Sequence, residues 1–382
     1  MTLTSNNLIE AGEPSCDKTR IPGIEWLRVL AISLVLLLHA KPISPCKTSS
    51  MPYLFFYMIA AFYDFVACLG VPLFFLVSLF LLEKNLAQRE SYLGARLKRL
   101  LALFFFWTGI QFLVWGVTLI TATQGVQPLA WISLLRTVLV GGPPLPAVGD
   151  SVIYFISDLV LLTAVHYFIR GYLRSRNAKI VTIALCLVFF YVGPICRNLF
   201  FPAEHDGFFA SVLNLDYSSP INFLVFIPIA IWLNESGIIV PNGRPIGSGD
   251  SRLRVLLGLY LLALAAEIST RLLTEMPFRI YARPSLPLGA WILMEIAMRI
   301  KSAPPWILEI SPLTLGVFAI HKYWLFVLIA VFPDLPMVAG PMFQNCRVDV
   351  SDPIRLFLMA ALTFATAKAF ARTSALRRFV SS

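Results

Sequence analysis

Long apolar runs recur from Ile24 to Phe370, separated by short groups of charged residues, Pro and Gly. About 20 mostly apolar residues are enough to cross the hydrocarbon core of a bilayer. With charge, Pro and Gly as boundaries, the pattern predicts spans at Ile24 to Ala40, Tyr53 to Leu82, Leu100 to Thr121, Val152 to Phe168 and Ile180 to Gly193. Five more are predicted at Pro220 to Leu233, Leu253 to Leu273, Ile280 to Ile300, Leu313 to Val331 and Leu356 to Phe370. The expected fold is therefore all-α, a polytopic transmembrane bundle of about ten spanning helices. Leu129 to Val140 is short and carries Arg136, so it reads as an interfacial or re-entrant piece. The second span is overlong, and Gly70 and Pro72 are places where it can break.

Composition agrees with the pattern. Of 382 residues 58% are hydrophobic and 14% charged, and the mean hydropathy is +0.77, outside the balance of a soluble domain. A net charge of +10 could point to nucleic acid, but the basic residues sit between apolar segments and form no continuous patch, so no nucleic-acid partner is expected. Their distribution gives an orientation instead. With the amino terminus in the cytosol, twenty Lys and Arg fall in loops on that side and seven on the other, and excess positive charge marks the cytosolic face. Both termini are thus expected in the cytosol, with residues 1–23 and 372–382 as tails around a membrane domain at 24–371. Met1 to Gly23 is polar and no small-residue cleavage site follows the first run, so that helix is expected to be retained. The six cysteines show no CxxC pair or metal-ligand spacing, and no metal is expected. A disulfide among Cys46, Cys196 and Cys346 is conceivable on the outer side, where oxidation is possible.

Ionisable residues inside apolar runs need a partner, a wet cavity or a function. His39, Asp64, Asp158, Glu267, Glu295 and His321 are all in that position. Arg28 and His39 are about three helical turns apart on one run, roughly 16 Å along the axis. His39 suits a general base or a transient acyl carrier, and Arg28 suits a phosphate. The plainer reading makes Arg28 a headgroup anchor and His39 a hydrogen-bonded interfacial residue. Arg96-Leu97-Lys98-Arg99 offers forked donors for phosphates, or simply marks the cytosolic face. Glu267 with Arg271, and Glu295 with Arg299, are spaced to pair on one helix face. His321 can orient an acceptor or pair with a buried carboxylate, and Asp64 and Asp158, without a local cation, can bind an acceptor hydroxyl or orient a histidine. His166, beside Arg170, and His205, in an outer loop, are not expected to be catalytic.

Ile24-Glu25-Trp26-Leu27-Arg28-Val29-Leu30-Ala31, ending in His39, resembles the first-helix signature of the acyltransferase-3 family, with its R-x10-H spacing. Arg96 and Arg99 match that family's RxxR. Gly70-Val71-Pro72-Leu73-Phe74-Phe75-Leu76-Val77-Ser78 resembles its second-helix pattern, and Leu315-Gly316-Val317-Phe318-Ala319-Ile320-His321 its late-helix pattern. The motifs occur in the family's order across Ile24 to Phe370. Departures are Glu25 and Trp26 at positions of an acidic residue and often glycine, Leu79 for a usual glycine, and Ala319 for a frequent tyrosine.

The resemblance implies a membrane O-acyltransferase of a bacterial inner membrane, moving an acyl group, most often acetyl, from cytosolic acetyl-CoA to a sugar of an exopolysaccharide or another envelope glycan. Arg28, Arg96 and Arg99 are then expected at the donor phosphates, and His39, with Arg28 and His321, at the reaction centre. Expected partners are the acyl-CoA, a sugar or lipid-linked glycan, membrane lipids and polysaccharide assembly machinery. The alternative is a transporter or flippase of a glycan or small solute, whose intramembrane charges bind solute or relay protons.

Overall fold

The computed structural model describes residues 20–40, 58, 61–123, 153–200, 219–236, 249–274, 281–331 and 351–381. All regular structure among them is helical. The helices are α1 (Pro22–Ala40), α2 (Gly70–Gln88), α3 (Tyr92–Thr123), α4 (Tyr154–Ile169), α5 (Arg176–Phe200) and α6 (Phe226–Glu235). They continue with α7 (Gly249–Thr274), α8 (Ser285–Ala297), α9 (Pro305–Ile310), α10 (Thr314–Val331), α11 (Ser351–Arg372) and α12 (Ser374–Val380). Among the described residues seven helical segments are long and apolar enough to cross a membrane, and Tyr154–Ile169, Pro220–Glu235 and Ser285–Ala297 are shorter apolar helices. Each of the ten predicted spans overlaps one of these segments among the described residues. The Leu129 to Val140 piece, His205, Cys46 and Cys346 lie outside the described residues, as does the side chain of Cys196; Cys68 and Cys186 are free thiols.

α1 is the hub, packed against α2, α8, α9, α10 and α11. Pro22 opens it, at a position where a missing N–H costs nothing. Glycines allow its closest approaches. A Cβ on Gly23 would lie 1.9 Å from the Ala297 carbonyl oxygen of α8, and one on Gly70 would lie 2.7 Å from the Ala31 carbonyl oxygen. The break expected in the overlong second span lies just ahead of Gly70. There the chain runs through a π-turn, Phe62–Val66, and a 3-10 turn, Ala67–Leu69, before α2 begins.

Burial separates an inner set of helices from an outer one. In the most apolar stretch of Phe62–Gln88, 72% of residues are buried, against 11% in Ser251–Thr270 of α7. α7 turns Val255, Leu261 and Leu262 outward, as expected of a helix whose other neighbour is lipid. α6 packs on α2, α8 on α7, and α11 on α10. Within the stretch expected as a tail, α12 packs against α3, α10 and α11.

Candidate active site

α1 is one unbroken helix, so Arg28 and His39 keep their separation of about 16 Å. Arg28 is partly buried and lies 3.8 Å from Glu25, one turn earlier on the same helix. It is also within charge–charge range of Arg20, Arg96 and Arg99, which gathers four guanidinium groups at one end of the bundle.

His39, at the far end of α1, meets His321 from the middle of α10, with ring centroids 5.0 Å apart and planes tilted by 36°. His321 is fully buried. Its Nδ1 lies 2.6 Å from the Phe318 carbonyl oxygen; since a carbonyl only accepts, Nδ1 carries the proton and Nε2 keeps a lone pair. Nε2 is buried and has no hydrogen-bond partner. The arrangement offers an imidazole of fixed tautomer with one basic nitrogen, beside a second, half-buried imidazole.

Aromatic rings wall this pair on the side of α2 and α4. Phe318 packs against Phe155 at 4.8 Å and Phe74 at 5.8 Å, and its ring is 5.8 Å from that of His321. Along α2 half-buried Phe74, Ser78, Leu81 and Asn85 form a stripe at helical spacing; Lys84 is half-buried as well, Ala87 and Gln88 are exposed at the helix end, and the rest of the helix is buried. One turn from Phe74, Ser78 accepts from Arg96 Nη2 at 2.7 Å through its hydroxyl and at 3.1 Å through its carbonyl oxygen. Arg96 Nε reaches the Thr163 hydroxyl of α4 at 3.5 Å. Arg99, three residues on, is exposed and donates to the Ser381 carbonyl oxygen at 2.5 Å.

An acyltransferase domain family model, acyltransferase-3, matches residues 21–372, nearly the whole chain. The chain belongs to the acyltransferase-3 family. No curated protein and no solved structure matches it. Family and apolar helices together make it an integral membrane acyltransferase.

Among the described residues several intramembrane charges of the acyltransferase are paired between helices. Glu295 meets Arg252 of α7 at 2.6 Å and accepts from Trp291 Nε1, partners the spacing along its own helix does not display. Glu267 accepts from the backbone N–H and hydroxyl of Ser285 at 2.7 and 2.8 Å; the side chain of Arg271 is outside the described set. Asp64, in the π-turn, finds its cation in Arg283, which donates to its backbone oxygen at 2.7 Å and approaches its carboxylate at 3.9 Å. His166 is fully buried, with Nε2 3.1 Å from Glu83, while Arg170 reaches the other carboxylate oxygen at 3.3 Å.

Asp158 differs from these. It is buried on α4, one turn from Phe155, and its Oδ2 has no hydrogen-bond partner. The acyltransferase also uses residues that sequence reasoning did not single out. Thr163 gives no motif signal, and Glu83 and His166 are too far apart in sequence to be read as a pair. Among the described residues no group of three or more His, Cys, Asp or Glu could hold a metal ion.

Proposed function

We propose that the acyltransferase transfers acetyl from cytosolic acetyl-CoA to a sugar hydroxyl of an exopolysaccharide or another envelope glycan, in a bacterial inner membrane with its arginine-rich end facing the cytosol. The observation that carries this reading is the His39–His321 pair, 5.0 Å between rings, held about 16 Å along α1 from the arginine cluster. Guanidinium forks suit the donor's phosphates, and exposed Arg99 with half-buried Arg28 are the members read as meeting them. The thioester then lies toward the imidazoles, between walls of Phe74, Phe155 and Phe318 that limit water and wasteful hydrolysis.

In the step itself an imidazole, His39 in this reading, takes the proton of the sugar hydroxyl as its oxygen attacks the thioester carbonyl carbon. The new C–O ester bond forms, the C–S bond breaks, and the thiolate leaves and recovers the proton as free coenzyme A. His321, with Nε2 unpartnered, orients the acceptor or holds the proton in transit.

The test is release of free coenzyme A and acyl labelling of glycan in membranes with matched amounts of wild type, His39→Ala and Arg28→Ala. Labelling that needs both residues supports the reading. Variants equal to wild type, with no thioester turnover over a broad acceptor panel, reject it in favour of solute transport.

A further inference from the structure

α12 begins two residues beyond the family-matched segment 21–372, yet it is locked into the bundle. Val380 is fully buried where α10 lacks a side chain, and a Cβ on Gly316 would come within 2.7 Å of the Val380 Cβ. Phe379 stacks on Phe106 of α3 with centroids 4.0 Å apart and planes 7° apart. Trp107 Nε1 donates to the Phe379 carbonyl oxygen at 3.1 Å, and Arg99 donates to that of Ser381.

This docking brings Arg377 and Arg378 to Arg99. The three arginines, with Ser374 and Ser381, line an open cavity of about 370 Å³. Arg378 lies over the ring of Phe379, 4.7 Å from its centroid, which fixes the guanidinium plane without using its donors. Among the described residues neither Arg377 nor Arg378 is in an ion pair. Among the described residues no carboxylate lines this cavity; holding like charges together costs repulsion, and a bound anion relieves it. The Ser381 hydroxyl already donates to the Arg377 carbonyl oxygen at 2.7 Å, so the guanidinium groups are the donors offered to phosphate oxygens.

We propose that Arg377 and Arg378 act with Arg99 as a binding site for a phosphate of the acyl donor's nucleotide part, so that a segment outside the family-matched region completes the donor site. This rests on the acyl-CoA reading above. It assigns Arg99 to the donor and leaves Arg96, committed to Ser78 and Thr163, as the residue that positions α3.

The experiment uses the full chain in detergent or vesicles, with Arg377→Gln/Arg378→Gln and Arg377→Lys/Arg378→Lys beside wild type. Free coenzyme A and phosphate-free pantetheine serve as binding probes, and donor KM and kcat are measured in parallel. Loss of two charge-assisted contacts is expected to weaken coenzyme A binding and raise donor KM about ten- to hundredfold. Pantetheine binding and kcat should not change, and the lysine pair should restore part of the affinity. Equal coenzyme A binding by the glutamine variant overturns the proposal, as does a loss confined to retention on anionic-lipid vesicles, which assigns the arginines to headgroups. If wild type binds coenzyme A through these arginines but turns over no thioester, the acyl-transfer reading fails and this site stands. If wild type turns over thioester and the glutamine variant is unaffected, acyl transfer stands and this site fails.

Discussion

Arg96 of α3 donates to the hydroxyl and the carbonyl oxygen of Ser78, at 2.7 and 3.1 Å, so one side chain ties the start of α3 to the middle of α2. Its neighbour in the motif, Arg99, is tied only to the backbone after α12. The two arginines of RxxR thus face different tasks, and substitutions should separate them. Ser78→Ala is expected to cost about 1–3 kcal/mol by leaving a buried guanidinium donor short of a partner, read as earlier unfolding in detergent with donor KM unchanged. A raised KM with unchanged stability would instead place Ser78 at the donor.

For the histidines, removal of a general base lowers rate by about 10²–10⁴-fold. His39→Ala is expected to lose acyl transfer by that factor at matched abundance, with α1 still packed because the imidazole is only half-buried. Single-turnover transfer to a glycan acceptor measures it, and a loss under tenfold excludes His39 as the base.

Asp158 allows a test of function against stability. A buried polar atom without a partner costs about 1–3 kcal/mol, so Asp158→Leu is expected to raise the midpoint of thermal unfolding while slowing transfer. A variant that is less stable than wild type shows that the carboxyl is satisfied in the folded protein.

Glu83 holds both His166 and Arg170. Removing one member of a buried charged group costs about 3–5 kcal/mol, somewhat less here because Arg170 is partly exposed to solvent. Glu83→Ala is therefore expected to lower the folded yield sharply, and Arg170→Ala less so. A double-mutant cycle on size-exclusion profiles checks the coupling, with additive losses counting against it.

The glycine contacts make the remaining prediction. Gly70→Ala places a methyl 2.7 Å from the Ala31 carbonyl oxygen and 2.8 Å from Val35 Cγ2, an overpacking expected to cost about 1–3 kcal/mol. Gly94→Ala, which meets nothing within 4 Å, is the control and should gain slightly in stability from helix propensity.

Much of the fold was legible because apolar length is a one-dimensional signal: among the described residues every predicted run overlaps a helix, and the expected break lies in the irregular entry to α2 ahead of Gly70. The spacing of Arg28 and His39 was legible for the same reason, since one helix sets it. Contacts between helices were not. Glu295 was read with Arg299 because spacing along one helix is all a sequence displays, and the contact from Arg252 of α7 at 2.6 Å gave no such signal. Asp64 looked isolated until Arg283 was brought to it from the residues before α8. The docking of α12 had no periodic signal over seven residues, and its partner, Gly316, is informative only by the side chain it lacks.

α1 also acts as a gauge. Its ends are held by contacts, Gly23 against α8 and His39 against His321, so the distance between the Arg28 guanidinium and the His39 imidazole cannot stretch. Under the acyl-CoA reading, reach and affinity are then separate requirements. A donor with its pantetheine arm shortened should still be bound by its phosphates, yet hold its thioester short of His39. It should act as a competitive inhibitor of the acyltransferase and not as a poor substrate.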